Sequence, residues 1–223
     1  MKADISIIIL NYNRSKFLDR SIRSCADQIT FNKKIEIIFC DDGSTDGSLQ
    51  LVKDFKIPNL KIFSNKINKG IGYTSKKAVK ISTGKYFIRV DSDDFLNSHA
   101  IEHMSKILDH NDNYAFVNCD LVKVNENGIK QKFLSTKNKK ILKNHGAGIL
   151  FRKSCVDKVG GYNTKLREAE DFDLITRLMK KFDYFHLPLP FYRYYQHPNN
   201  ISKSGNRKIY LNKIKRTKLW NLK

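Results

Sequence analysis

A chain of 223 residues with 40% hydrophobic content can bury one good core, as a single large unit or as two halves sharing a sheet. Its formal net charge of +20, from 42 Lys and Arg against 22 Asp and Glu, points toward nucleic acid, an anionic membrane or a polyanionic substrate. No apolar run suits a signal-peptide core or a transmembrane span, and Cys25, Cys40, Cys119 and Cys155 form no Cys-x-x-Cys pair, so a cytoplasmic protein with buried reduced thiols is expected and the sequons at Asn13 and Asn200 carry no meaning.

Ile5 to Leu10 reads as a buried strand, after which Ser15 caps a helix whose Leu18, Ile22, Cys25 and Ile29 recur at helical spacing. Ile35 to Cys40 is the next strand. It runs into the acidic turn Asp41-Asp42-Gly43-Ser44-Thr45-Asp46-Gly47, with Ser44 as cap of a helix carrying Leu51, Val52 and Phe55. Leu60 to Phe63 is a short third strand, Tyr73 to Ser82 a helix ended by Gly84, and Tyr86 to Val90 a fourth strand. Such alternation predicts an α/β fold, a mostly parallel central sheet with helices on both faces.

The fourth strand stops at Asp91-Ser92-Asp93-Asp94. Ligands of an open α/β sheet bind at the carboxyl ends of its strands, so acid concentrated there in a basic chain marks a site. Asp91 and Asp93 point to opposite sides of an extended segment and need a turn to converge; converged, they hold a hard divalent cation that leaves positions open for phosphate oxygens. Asn11-Tyr12-Asn13-Arg14 and Asp41-Asp42 follow other parallel strands and reach the same edge, where Tyr12 can stack on a base and Arg14 can approach phosphate.

Beyond Asp94, Ser98 starts a helix with Ile101, Met104 and Leu108 on one face, and Tyr114 to Val117 is a strand. Asn118 to Asn144 is polar and Lys-rich, hairpin-like around Asn127-Gly128, and is expected to be exposed or mobile. Ala147 to Phe151 returns to the core, and Gly160-Gly161 marks a turn. Ala169 to Phe182 is an amphipathic helix beginning with acid, Glu168, Glu170, Asp171 and Asp173, more than the helix dipole alone explains. Phe185 to Tyr195, with Pro188 and Pro190, reads as edge strand and loop. His197 becomes a metal ligand if its loop folds back on the acids. Arg207 to Lys223 is a basic helix candidate. Gly70-Ile71-Gly72 lacks the third glycine of a dinucleotide fingerprint, and Tyr86 stands where a Walker loop needs Ser or Thr after Thr83-Gly84-Lys85.

Taken together, Asn11-Tyr12-Asn13-Arg14, Asp41-Asp42-Gly43-Ser44-Thr45-Asp46, Asn68-Lys69-Gly70, Asp91-Ser92-Asp93-Asp94, Gly160-Gly161-Tyr162, Glu170-Asp171 before Asp173-Leu174, and Tyr192-Arg193 leading to His197 resemble family 2 glycosyltransferases of the GT-A fold. The likeness spans roughly Ile5 to Ser202. It implies a Rossmann-like nucleotide-sugar half, about residues 1–97, fused to an acceptor half, about 98–205, with 206–223 as a basic tail. It also implies a nucleotide-diphosphate sugar donor, usually uridine-linked, and transfer with inversion to a glycan or lipid-linked acceptor.

By position, the resemblance makes Asp42 the base contact, with Tyr12, Arg14, Asn68 and Ser92 lining the nucleotide. Asp91 meets the ribose side and the metal, Asp93 binds Mn²⁺ or Mg²⁺, His197 adds a metal or diphosphate ligand, and Asp171 is the general base with Glu170 beside it. Where the family usually has Ala-Arg-Asn this chain has Thr74-Ser75-Lys76, so the customary arginine is missing and Lys76 is the expected substitute. Leu10 and Ser98 stand where proline is common. No nucleic acid partner is expected, whereas the basic tail suits the anionic inner face of a membrane. Packing of the tail's apolar residues on the body is the alternative. The competing functions are a sugar-phosphate nucleotidyltransferase, which would carry a Gly-rich basic loop after the first strand, and a non-catalytic polyanion-binding module.

Overall fold

The computed structural model describes residues 2–198, 200, 209–212 and 214. Strand β1 (Ile5–Asn11), helix α1 (Leu18–Ala26), β2 (Ile35–Asp41), α2 (Ser48–Lys53), β3 (Leu60–Ser64), α3 (Ile71–Ile81) and β4 (Tyr86–Asp91) alternate as expected. Their strands pair in parallel in the order β3-β2-β1-β4. Side chains of β1 alternate between faces: Ile5, Ile7 and Ile9 pack with Leu18, Ile22, Val52, Ile101 and Met104, while Ile8 and Leu10 pack with Ala78, Val156, Leu174 and Leu178. Helices therefore cover both sides of the sheet. In register, Asn11 lies opposite Asp41, and Leu10 opposite Asp91.

The second half consists of β5 (Phe95–Leu96), α4 (Ala100–His110), β6 (Tyr114–Val124), β7 (Lys130–Leu134), α5 (Lys139–His145), β8 (Ile149–Arg152), α6 (Lys153–Lys158), α7 (Glu170–Met179) and β9 (Asp183–Tyr195). The sheet continues from β4 as β8-β6-β9-β5, with β7 hairpinned on β6. Here the pairing is mixed: β8 runs antiparallel to β4 and β6, and β9 parallel to β6.

Four local expectations are corrected. Helix α1 ends at Ala26 and leaves Ile29 exposed, because the chain turns away to hydrogen-bond Ile29 N to Ser98 O (2.8 Å). Ser44 caps no helix; α2 starts later, behind Gly47 at φ +84°.

The stretch from Asn118, expected to be exposed, instead continues β6 as buried strand as far as Val124. Its buried polar residues find partners: Asn118 Nδ2 donates to Thr136 Oγ1 (2.7 Å), and Asp120 Oδ1 accepts Thr136 N (2.8 Å) and meets His186 Nε2 (2.7 Å). The hairpin at Gly128 forms as expected.

Strand β9 is an edge, as expected, from Asp183 to Leu187, where it pairs with β6 alone, but it continues as strand to Tyr195 and is covered by β5 at Tyr192 and Arg193. Its prolines fall where the register jumps from Cys119↔Leu187 to Leu121↔Tyr192, so the ladder misses no donor.

All four cysteines are buried and unpaired, with burial pushing the Cys25, Cys40 and Cys119 thiols up to about 12. Most of the basic tail lies outside the described residues. Residues 209–212 and 214 are helical, and Tyr210, Leu211 and Ile214 pack on Leu166, Ala169 and Phe172 just before and within α7.

Candidate active site

The acids after β4 form a tight turn closed by Asp94 N to Asp91 O (2.9 Å), with Ser92 N bonded to Leu10 O (3.0 Å). The turn sorts the carboxylates. Asp94 points inward and accepts from Tyr192 Oη and Tyr195 N (2.8 Å each); burial, then the neighbouring Asp93 and Asp91, push its pKa well above the usual carboxylate range. It is an anchor to β9. Asp93 meets Arg14 Nε (3.3 Å) and His197 Nε2 (2.8 Å), and the His197 ring stacks near Phe17 and Tyr195. The loop after β9 does fold back on the acids. Asp91 borders the cleft, where burial and the adjacent Asp93 outweigh Arg89 and raise its pKa to about 6.

The two acids after β2 divide in the same way. Asp41 ties strand ends together, accepting Asn11 Nδ2 (2.8 Å), Ser44 N (2.9 Å) and Ser44 Oγ (2.5 Å). Asp42 accepts Asn65 Nδ2 (2.7 Å), Lys69 N (2.9 Å) and Gly70 N (2.8 Å), so it clamps the 65–70 loop against the cleft. Gly43, at φ +78°, lies so close to the Ile67 and Asn68 backbone that a Cβ would collide with it.

The opposite wall is α7. The chain enters it through Ala169 in the left-handed conformation (φ +61°), placing Glu170 and Asp171 in the first turn. Both carboxylates bond to Arg89: Nη1 donates to Glu170 Oε1 (2.8 Å) and Nη2 to Asp171 Oδ2. Burial, then the neighbouring Glu170 and Asp91, raise the Asp171 pKa despite Arg89, because three carboxylates share one guanidinium. A Cβ on Gly146, which caps α5 at φ +63°, would overlap the Asp171 side chain. The Gly160-Gly161-Tyr162 turn is held by Arg177, which donates to Val159 O (2.5 Å) and Gly161 O (2.7 Å). Tyr162 lies with its ring 5.5 Å from the Arg89 guanidinium.

A cleft of about 550 Å³ joins these walls. It is bordered by Tyr12, Arg14, Asp42, Asn68, Asp91, Ser92 and Asp93 from the first half and by Glu170 and Asp171 from the second. His197 reaches it through Asp93. Lys76 does not reach it: it stands on the exposed side of α3, while Gly70, Ile71 and Thr74 line the cleft. The place expected for arginine is Ser75, whose Oγ accepts a hydrogen bond from Arg89 Nη1 (3.2 Å). Sequence reasoning missed Arg89, although a lone charge inside an apolar strand was a signal. It also missed His145, Arg167, Tyr194 and Tyr210, whose cleft positions depend on long-range folding.

The family model for glycosyl transferase family 2 matches residues 6–160. The chain belongs to that family. This family 2 chain is 40% identical to the chondroitin synthase of Escherichia coli over 100 residues, which are 44% of this chain and 14% of that protein. It is 31% identical over 150 residues to the Escherichia coli UDP-Glc:alpha-D-GlcNAc-diphosphoundecaprenol beta-1,3-glucosyltransferase WfgD, covering 66% of this chain and 58% of that one. It thus spans well under two thirds of either relative. Staphylococcus aureus (S. aureus) TarS 1-349 in complex with UDP-GlcNAc superposes with a TM-score of 0.78 at 22% identity, over 96% of this chain and 65% of that chain. The family 2 fold here is accordingly of the GT-A type.

Among the described residues, no group of three His, Cys, Asp or Glu side chains converges as a metal cage. A family 2 site does not need one, because Mg²⁺ is commonly held by one or two carboxylates together with substrate phosphates. Asp93 with His197 against it, and Asp91 on the same turn, fit that donor set.

Proposed function

We propose that this chain transfers a sugar, with inversion, from a uridine-diphosphate donor to a hydroxyl of a glycan or lipid-linked acceptor, in the assembly of a surface polysaccharide or lipo-oligosaccharide. The observation that carries this is one cleft bordered by the Asp91–Asp93 turn on one wall and by Glu170 and Asp171 on the other. A leaving group and an attacking hydroxyl need opposite faces of the sugar, and this cleft offers a different chemistry on each. Tyr12, Asp42 and Asn68 hold the nucleotide, Asp91 and Ser92 the ribose side, and Arg14 the diphosphate. Asp91, Asp93 and His197 are the residues to hold Mn²⁺ or Mg²⁺, which when bound supplies Lewis-acid neutralisation of the departing diphosphate. Asp171 takes the acceptor proton, and Glu170 shares its guanidinium. The donor and acceptor classes named for the glucosyltransferase relative support this choice. A panel of nucleotide sugars incubated with the protein and Mn²⁺ should release nucleotide from a uridine-linked donor. No release from any donor would overturn the proposal.

Charge supports work at an anionic cytoplasmic membrane surface. Among the described residues no helix is long and apolar enough to cross a membrane. Tyr210, Leu211 and Ile214 pack on the body, which leaves the basic side chains to supply the salt-sensitive part of attachment. Sedimentation with anionic vesicles is therefore expected to be lost at high salt, each basic residue near the surface contributing about 1 kcal/mol before screening. Equal binding to neutral vesicles would exclude that mechanism.

A further inference from the structure

Arg89 sits on a strand whose other residues from Tyr86 to Val90 are apolar and buried, and is itself 7% exposed. Burying a guanidinium is costly unless its donors are used, and here they are. Nη1 reaches Glu170 Oε1 and Ser75 Oγ, Nη2 reaches Asp171 Oδ2, Nε faces Asp91 Oδ1 at 3.7 Å, and Tyr162 supplies an aromatic face. The Asp171 carboxylate is held by one oxygen only; its Oδ1 is buried with no hydrogen-bond partner.

We propose that Arg89 is the positioning residue of the reaction. By gripping Asp171 through Oδ2 and Glu170 through Oε1 it fixes both carboxylates in one plane at the cleft wall, which sets the angle at which Asp171 meets the acceptor hydroxyl. Without the guanidinium, two adjacent buried carboxylates favour taking up a proton, and a protonated Asp171 cannot accept another. A lysine there is a point charge and cannot bridge both acids in a fixed plane. The contact with Asp91 links this wall to the donor turn, so the base is oriented relative to the donor rather than independently of it.

The inference rests on the reading of Asp171 as general base, and its test separates the two. Arg89→Met and Arg89→Lys are compared with the parent and with Asp171→Asn, using the nucleotide sugar that the parent turns over. Kinetics give kcat and KM, calorimetry gives affinity for uridine diphosphate with Mn²⁺, and thermal melting confirms folding. Arg89→Met is expected to lower kcat about 10²-fold, the scale of a misplaced reacting group, with nucleotide affinity and donor KM unchanged. In the Asp171→Asn background it should add almost nothing, since the group it orients is already gone. If Arg89→Met does not fold, Arg89→Lys carries the same comparison, with lowered kcat at retained KM expected. Weakened nucleotide binding would make Arg89 a donor ligand and overturn the proposal. Parent-like kcat in a folded Arg89 variant, beside an inactive Asp171→Asn, would remove only the role of Arg89. Full turnover by Asp171→Asn itself would refute the assignment of the base.

Discussion

Asp171→Asn should leave nucleotide affinity at the parent value while lowering kcat by about 10²–10⁴-fold, the usual loss when a general base is removed. The amide keeps the volume of the carboxylate beside Gly146 and can still accept a hydrogen bond from Arg89, so the wall of the cleft survives. What disappears is the proton acceptor. The fold should not suffer, because the substitution removes one of three carboxylates competing for a single guanidinium. Steady-state kinetics beside calorimetry make the distinction. An equal loss in kcat and in nucleotide affinity would mean that Asp171 binds the donor, and undiminished kcat would transfer the proton-accepting role to Glu170.

Asp93→Asn should abolish measurable turnover and sharply weaken metal-dependent nucleotide binding. Asp93 is where the elements of the donor side meet: Arg14 follows β1, Asp93 ends the turn after β4, and His197 follows β9. An amide is a poor ligand for a hard cation, and it leaves the two neighbouring nitrogen groups without their shared counter-charge. Calorimetric titration of uridine diphosphate, with and without Mn²⁺, reads the effect. The assignment fails if the parent binds the nucleotide equally well in both conditions, or if the variant keeps the metal-dependent part.

The first half of the chain was legible because local pattern and tertiary role agree there. Ile5 to Leu10, Ile35 to Cys40 and Tyr86 to Val90 are mainly apolar on both faces, Ser6, Glu36 and Arg89 excepted, because helices cover both faces, and the acids after them reach one edge because the strands are parallel and in register. Asp41-Asp42 and Asp91 to Asp94 announced acid at that edge. The sequence could not say which carboxylate of each run turns inward: Asp41 and Asp94 are structural, and their partners Asn11, Ser44, Tyr192 and Tyr195 are mostly far away in the chain.

The second half was less legible for the same reason. The polar run from Asn118 looked solvated, yet Asn118 and Asp120 are buried against Thr136 and His186, a compensation that only folding reveals. Pro188 and Pro190 looked like marks of an edge, and they do lie on the part of β9 that β5 leaves uncovered, at a shift of register against β6. Lys76 seemed a reasonable replacement on spacing alone, but helical rotation carries it to the exposed side of α3.

The inward anchor at Asp94 limits how such a chain can be recombined. Its two partners, Tyr192 and Tyr195, belong to the last strand, and His197 lies just beyond them. The donor turn is therefore finished by residues about a hundred positions downstream. Division of labour between the halves is chemical, not modular: a graft that exchanges acceptor specificity by replacing everything after the donor turn would also discard the strand that closes it. Chimaeras between relatives should instead retain the stretch from Tyr192 to Asn200 with the first half and vary the segments between β5 and β9.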